Sequence, residues 1–450
     1  MPTDLPRRSS IRPKANHRLT LAATLTVASL VVAACSSSSK HASTASSAAS
    51  TPMAAALSSA APVAASATTS AAAASSATAP AAASSASTPA VSSSPAAASS
   101  SGVAQAASSL APFQGLVSYT PSGSALSGVG ARLKGKTVYY VPITQQVPIF
   151  PIVESGLSSA LSTVGATLHV CDGGATPSTT TACLNQAIAA NAAAVVTDSI
   201  PFGFAQQGFL ALEQHHIPIL LGDEPSVGPN GPVTGNDTLA FLETNQTQAM
   251  ALSADWIIAN SGGKADTLVI EITDSPLTVQ AITDGALKQF SDLCPSCTVH
   301  TVQESTANLA TLPSLVSSAL LKDPNIGYVF SEFDTDVPPT VGGVVQAGRS
   351  GKVIGVSSMG ILGSLQMLAS KNYLYEDSGT DGVVLGWSYA DQVFRMLLGQ
   401  PVLQTAAIPQ RIFTRDNVGS LSLTAAEQNT GAWYGDPGFT ASFKKLWGLG

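Results

Sequence analysis

Hydrophobic positions divide this chain into three regimes. Residues 19–34 (LTLAATLTVASLVVAA) form one unbroken run of apolar or small side chains. Residues 36–112 are almost entirely Ser, Ala, Thr and Pro, with no apolar periodicity. From Phe113 onward, short β-branched runs alternate with amphipathic stretches. Strands are expected at 137–141, 167–170, 194–197, 217–221, 267–272, 298–302, 326–330, 352–356, 373–375 and 411–414, where Val, Ile, Thr and Tyr cluster between turn residues. Helices are expected at 151–164, 180–191, 204–215, 246–260, 277–293, 312–321, 339–347, 362–370 and 382–398. Strands alternating with helices of this length imply parallel sheets covered on both faces. They are too many for one small sheet, and 234–245 (TGNDTLAFLETN) interrupts the alternation midway. The expected fold class is therefore α/β, with two doubly wound parallel-sheet lobes preceded by a disordered linker.

The first apolar run is 16 residues long and follows Arg7, Arg8, Arg12, Lys14 and Arg18. It is short for a membrane span and right for the core of a secretory signal. It ends in Val32-Ala33-Ala34-Cys35, which looks like the bacterial lipobox. That resemblance implies a lipoprotein signal peptide over 1–34, cleavage before Cys35 and acylation of its Sγ. Several acyl chains anchor where a single chain does not. An unlipidated signal with a chance Cys is the alternative, and Arg7-Arg8 leaves twin-arginine export open beside the general route. Residues 35–112 are expected to be a tether. Such a composition buries too little apolar surface to offset its ordering entropy. Interleaved Ser and Pro weigh against a stable helix. A flexible chain of this length spans about 50 Å r.m.s., and its Ser/Thr/Pro content permits O-glycosylation.

Charge narrows the functional classes. The net charge of the chain is −7, and from Phe113 onward 14 basic residues face 26 acidic ones. So acidic a domain is a poor partner for nucleic acid or anionic lipid. With one apolar run at the N-terminus, a multi-span membrane protein is excluded. The segment 355–360 (GVSSMG) fails as a nucleophile elbow, because Met359 stands two residues after Ser357 where Gly is required. Neither a Walker loop nor a dinucleotide fingerprint occurs. No enzyme activity, cofactor or metal is expected, since His300 and the cysteines lack zinc-site spacing. Besides Cys35 there are Cys171, Cys183, Cys294 and Cys297, an even number that suggests disulfides in an exported chain. Three pairings are possible, and the local one, Cys171–Cys183 with Cys294–Cys297, is preferred. Cys294-Pro-Ser-Cys297 follows an expected helix rather than opening one, so it is a structural clip and not a redox pair activated by a helix N-terminus. Asp391 and Arg395 form an i,i+4 ion pair of the ordinary kind, and Trp256 and Trp387 are assigned to the core.

The ordered series of segments resembles the type I periplasmic-binding-protein family, in its ribose-binding-like branch of ABC-transporter solute receptors. The residues that carry the likeness are Lys136-Thr137-Val138 followed by Val147–Phe150, then Ala194–Asp198, His216–Leu220 with Asp223, and Thr244-Asn245. They continue with Asp284–Leu287, Phe330–Asp334, Gln346–Gly348, Val353–Val356, Gly386–Asp391 and Leu398–Gln400. The resemblance implies two lobes joined by three crossovers, near Glu243, Asp377 and Pro401, with a ligand cleft between them. Lobe 1 would comprise 113–243 and 378–401, and lobe 2 would comprise 244–377 and 402–450.

Independently of the family, ligands of open parallel sheets bind beyond the carboxyl ends of strands. Those ends are 143–150, 198–202, 223–224, 273–275, 331–334 and 357–359. The family's ligand contacts, carried over, fall on Phe150, Asp223, Asn245, Phe333, Ser357 and Asp377. Phe150 would cover an apolar face, and Asp223 and Asn245 would hydrogen-bond hydroxyls or amines. Sugar-binding relatives place Arg where Ile282 and Glu224 stand, Asp at Ser357 and a polar residue at Phe333. Loss of two cations beside Asp223, Glu224, Glu243 and Asp377 argues against anionic ligands, unless those carboxylates are merely solvated rim residues. The resemblance implies an extracytoplasmic solute-binding lipoprotein of an ABC importer, anchored by lipid to the cell membrane. Its partners would be a small, sugar-like solute and a membrane permease, and it would act as a monomer. The alternatives are a solute-sensing receptor of the same fold, or a receptor for a neutral or cationic non-sugar ligand.

Overall fold

The computed structural model describes residues 95–228 and 231–450. The expected signal peptide, Cys35 and the tether as far as residue 94 lie outside the described residues. Among the described residues fourteen strands form: β1 Thr137–Pro142, β2 Thr167–Val170, β3 Ala194–Asp198, β4 Ile219–Gly222, β5 Val227–Gly228, β6 Gly231–Pro232, β7 Leu239–Thr244, β8 Asp266–Ile272, β9 Thr298–Glu304, β10 Tyr328–Ser331, β11 Ile354–Met359, β12 Leu374–Thr380, β13 Thr405–Ala406 and β14 Gln410–Thr414. The helices are α1 Pro95–Leu110, α2 Val129–Leu133, α3 Ile149–Ser162, α4 Pro177–Ala189, α5 Gln206–Gln214, α6 Gln246–Ser261, α7 Pro276–Gln280, α8 Lys288–Leu293, α9 Leu312–Lys322, α10 Val337–Gln346, α11 Leu362–Ala369, α12 Gly382–Leu397, α13 Ala425–Gln428 and α14 Phe439–Leu446.

The strands build two six-stranded sheets and a small β5–β6 hairpin. The first sheet has the order β13-β7-β4-β3-β1-β2 and is parallel throughout. The second has the order β14-β12-β11-β10-β8-β9, parallel except for the antiparallel edge strand β14. Apolar clusters cover both faces of each sheet, as parallel sheets require. Among the described residues no helix is long and apolar enough to cross a membrane.

Every expected strand and helix forms within a few residues of its expected position. The helix expected at 277–293 is divided into α7, a π-helical stretch Ala281–Leu287 and α8. The segment 234–245, taken as an interruption, contains β7, an inner strand paired with β4 and β13. Its half-buried Glu243 and Thr244 hide the apolar run that marks its neighbours. The tether ends earlier than expected, because α1 is helical. Val103 and the fully buried Ala106 enter the core of the second lobe, and Leu110 packs near Leu252 and Ile412. An Ala/Ser-rich helix that is marginal alone is held here by tertiary packing.

The first crossing lies beside the expected Glu243, and the other two lie further along the chain than expected. The crossings fall where β7 meets α6 at Thr244–Asn245, at Asp381 between β12 and α12, and over residues 407–409 between β13 and β14. Residues 378–380 thus belong to the second sheet and β13 to the first, against the expected boundaries. The C-terminus also departs: Phe439, Phe443 and Trp447 join the core of the first lobe, where Trp387 stacks on Trp447 at 5.3 Å. An N-terminal strap makes a further crossing. Val117 donates its N–H to the Tyr434 carbonyl on the second lobe, and Tyr119 then packs on Phe443 of the first.

The α3–α12 contact holds the first lobe's inner layer together. A Cβ on Gly386 would lie 2.2 Å from the Val153 carbonyl oxygen, and one on Gly156 would lie 2.4 Å from that of Val383. Only glycine lets the two helix backbones approach so closely. Gly386→Leu should therefore destabilise the protein by on the order of 3 kcal/mol, read as a lowered urea midpoint, whereas Gly419→Ala, with open space around it, should leave the midpoint in place.

Candidate functional site

The carboxyl ends of the two sheets face each other, and a cavity of about 100 Å³ lies between them. At ~10–15 Å³ per water this holds roughly seven to ten waters, the scale of a monosaccharide or a small amine. Its first-lobe wall comes from Ile143 after β1, from Val147, Ile149, Phe150 and Val153 at the start of α3, from Asp198 and Ser199, from Asp223, and from Thr244. Its second-lobe wall comes from Ile272, Asp274, Ser275, Thr278, Phe333, Ser358 and Met359. Thr306, Thr335 and Thr380, with Gln246, Ala249 and Met250 of α6 and Gly382 and Leu385 of α12, complete it. The strand-end rule thus located the lining well.

Residue by residue, the expected contacts divide. Phe150, Asp223 and Phe333 line the cavity. Asn245 does not. Its Oδ1 accepts the Ile408 N–H at 3.0 Å and its Nδ2 donates to the Ile408 carbonyl at 3.1 Å, so it clasps two hinge crossings together. Ser357 and Asp377 are paired within the second sheet and fully buried. Since β12 runs on to Thr380 instead of ending at Tyr375, Asp377 sits inside a strand and Thr380 reaches the cavity in its place. Beside Ser357, the next residues along the strand, Ser358 and Met359, supply the lining. Asp377 instead accepts the Gly360 N–H at 2.9 Å, and Asp334 accepts that of Ile361 at 2.9 Å, so the two acids brace the turn after Met359. Glu224 is buried and Glu243 half-buried, rather than both forming a solvated rim.

Asp198 receives hydroxyl hydrogens from Tyr140 at 2.6 Å and from Tyr389 at 2.9 Å. Thr244 donates to Asp223, and the Ser199 hydroxyl lies 3.5 Å from Asp198 and 3.4 Å from Asp223. Ser199 and Asp223 have φ of 55° and 54°, and Met359 has φ of 118°. Backbone conformations of this kind in non-glycine residues carry strain, and such strain gathers at functional sites. Met359 also packs against the cores of both lobes. Burial, with the Asp223 charge adding to it, pushes the Asp198 carboxyl up to about 7. Burial raises Asp223 and Glu224 as well.

The cysteines are joined as Cys171–Cys183 and Cys294–Cys297. The first bond staples the loop between β2 and α4, and the second closes the turn after α8. Asp391 and Arg395 do pair, at 2.7 Å, but in the core, where Trp447 Nε1 also donates to Asp391. Buried ion pairs of this type are not ordinary surface pairs. Among the described residues one cluster, Asp266, His300 and Asp323, has ligand atoms close together, and it lies away from the cavity.

Several buried acids hold their protons unusually firmly, mainly through burial: Asp198, Asp336 and Asp381 up to about 7, and Glu376 up to about 8. In the unfolded chain they ionise near pH 4. The folded state therefore binds more protons between these limits, and stability falls as pH rises from about 4 to about 8. The melting temperature should be several degrees higher at pH 5.5 than at pH 8.5 in calorimetry, and Asp198→Asn should narrow that gap.

A family model described as periplasmic binding protein domain matches residues 138–401. No match to a curated protein was found. Among solved structures, a sugar ABC transporter subunit from Rhodobacter sphaeroides is 18% identical, with a TM-score of 0.54, and covers 63% of this chain and 99% of its own. A glucose-galactose binding protein from Geobacillus stearothermophilus is 15% identical at a TM-score of 0.55, covering 63% and 99%. A 5-methylthioribose transporter solute-binding protein from Thermotoga lettingae, in complex with 5-methylthioribose, is 14% identical at 0.58, covering 70% and 98%. At these identities the likeness concerns the fold. With more than half of its length matched by the family model, the chain belongs to the periplasmic binding protein domain family and is a binding protein rather than an enzyme.

Proposed function

We propose that this chain is an extracytoplasmic receptor, anchored by lipid on Cys35, that captures one small solute between its lobes and hands it to the permease of an ABC importer. The observation that carries the reading is the cavity at the facing strand ends, bounded by both lobes beside three hinge crossings. Closure of such a hinge around a ligand excludes water and strengthens each hydrogen bond inside. The lining offers carboxylates and apolar walls, so the solute is neutral or cationic and of monosaccharide size. Phe150 and Phe333, from opposite lobes, cover its apolar faces, and Asp223 takes a hydrogen bond from it.

A thermal-shift screen of the full chain against sugars, polyols, amines and nucleosides tests this, because a ligand that binds only the folded state raises the melting point. At least one solute is expected to stabilise the protein, sugar phosphates are not, and Phe150→Ala should weaken the hit by about tenfold or more. Stabilisation by none of them would refute the reading. Lipid attachment is checked in bacterial cells fed radiolabelled palmitate. The chain is expected to take up label and Cys35→Ala to abolish it; an equally labelled variant would remove Cys35 as the anchor.

A further inference from the structure

The charge of the cavity is one-sided. Asp198, Asp223 and Asp274 line it, and among the described residues no Lys, Arg or His does. The charges acting on Asp198 and Asp223 are other carboxylates, Asp223 and Glu243 respectively. Beside them, Glu224 is 1% exposed, hydrogen-bonds to Ser275 on the opposite wall, and leaves its Oε1 without a partner. A buried carboxylate without a counter-charge is costly unless something supplies one.

Four of the cavity's hydroxyls do not supply it, because their hydrogens are already committed within the protein, while Thr306 and Thr380 also line it. Thr244 donates to Asp223, Thr278 to the Ile272 carbonyl at 2.6 Å, and Ser358 to the Glu332 carbonyl. The Ser199 hydroxyl is directed to Asp198 and Asp223. What these four present to a ligand is lone pairs, and the unpartnered Oε1 of Gln246 adds to them. A polyol needs donors as well as acceptors around it. An ammonium group needs acceptors alone, carries three donors, and brings the missing charge. The remaining walls, Phe150, Phe333, Met250, Met359 and Leu385, suit an apolar body, and aromatic faces attract cations.

We propose that the solute is a small organic ammonium ion, its nitrogen donating to Asp223 and its apolar body lying between Phe150 and Phe333. Asp223 is the acceptor because its second oxygen meets only the long 3.4 Å approach of Ser199, whereas both oxygens of Asp198 are held by tyrosine hydroxyls at 2.6 and 2.9 Å. Asp198 and Asp274 then supply field rather than contact. This deepens the receptor reading and rests on it.

Calorimetric titration of the full chain at pH 7.5 tests the proposal with matched probes: cyclohexylamine, cyclohexanol and cyclohexanecarboxylate; benzylamine, benzyl alcohol and benzoate; and D-ribose and D-galactose. An amine should bind at least about tenfold more tightly than its alcohol, with no detectable binding of the carboxylates. Asp223→Asn keeps the acceptor for Thr244 and suits a positive φ. It should reduce the amine preference to about threefold or less, and Asp274→Asn should reduce it less; circular-dichroism melts confirm that both variants fold. A sugar or alcohol binding more tightly than every amine would overturn the proposal, as would failure of both amines to bind or an unchanged preference in Asp223→Asn. Binding of D-ribose or D-galactose in those cases leaves the receptor reading standing, so the two failures are distinguishable.

Discussion

Carboxylates buried at a seam without cations are the constraint around which this molecule is arranged. Parallel strands aim their carboxyl ends toward the other lobe, and the residues just past those ends must face either solvent or a ligand. Here they include Asp198, Asp223, Glu224, Asp274 and Asp334, several of them almost wholly buried. The protein manages these charges with neutral donors: tyrosine hydroxyls on Asp198, backbone N–H groups on Asp334 and Asp377, a threonine on Asp223. Hydrogen bonds to neutral donors soften the desolvation penalty but do not cancel the charge. The raised proton affinity of these acids and the acidic lining of the cavity are two results of the same arrangement.

The hinge depends on polar groups in another way. Asn245 stands where β7 becomes α6 and pairs both faces of its amide with the backbone of Ile408 on another crossing. Gln410 adds a donor to the Asn245 carbonyl at 2.9 Å. Asp381 stands at a further crossing and caps α12 through the N–H groups of Val383 and Val384. Each crossing is thus fixed by side chain to backbone bonding, while the lobes on either side are held by apolar packing. Movement is confined to a few residues between rigid bodies, the usual anatomy of hinge closure. The N-terminal strap and the C-terminal aromatic cluster lie outside the family-matched residues and add ties across the same region.

Much of the fold was legible because its information is local. Apolar runs of four to seven residues separated by amphipathic stretches identify buried parallel strands and covering helices without reference to the rest of the chain. The elements that escaped notice had weak local signals and strong tertiary ones. β7 ends in Glu243 and Thr244, β12 carries Glu376, Asp377 and Ser378 through the core, and α1 is Ala/Ser-rich. Their polar atoms are tolerated because partners elsewhere satisfy them: Ser378, for example, bonds with Ser253 and Glu376. Ser253 is 125 residues away in the chain, beyond the reach of periodicity.

The sequence by itself determined the α/β class, the two-lobe organisation, the strand ends that bound the cavity and the acidic balance of the domain, all of which follow from composition and period. Only the tertiary structure decided which of neighbouring polar residues meet the cavity: Ser358 and Met359 rather than Ser357, Thr380 rather than Asp377, Thr244 rather than Asn245. A step of one residue along a strand turns a side chain to the other face, and a strand running a few residues further moves its end past the polar group expected there. Which of two adjacent residues faces the opposite lobe is therefore settled by strand register and hinge position, neither of which is written locally in the chain.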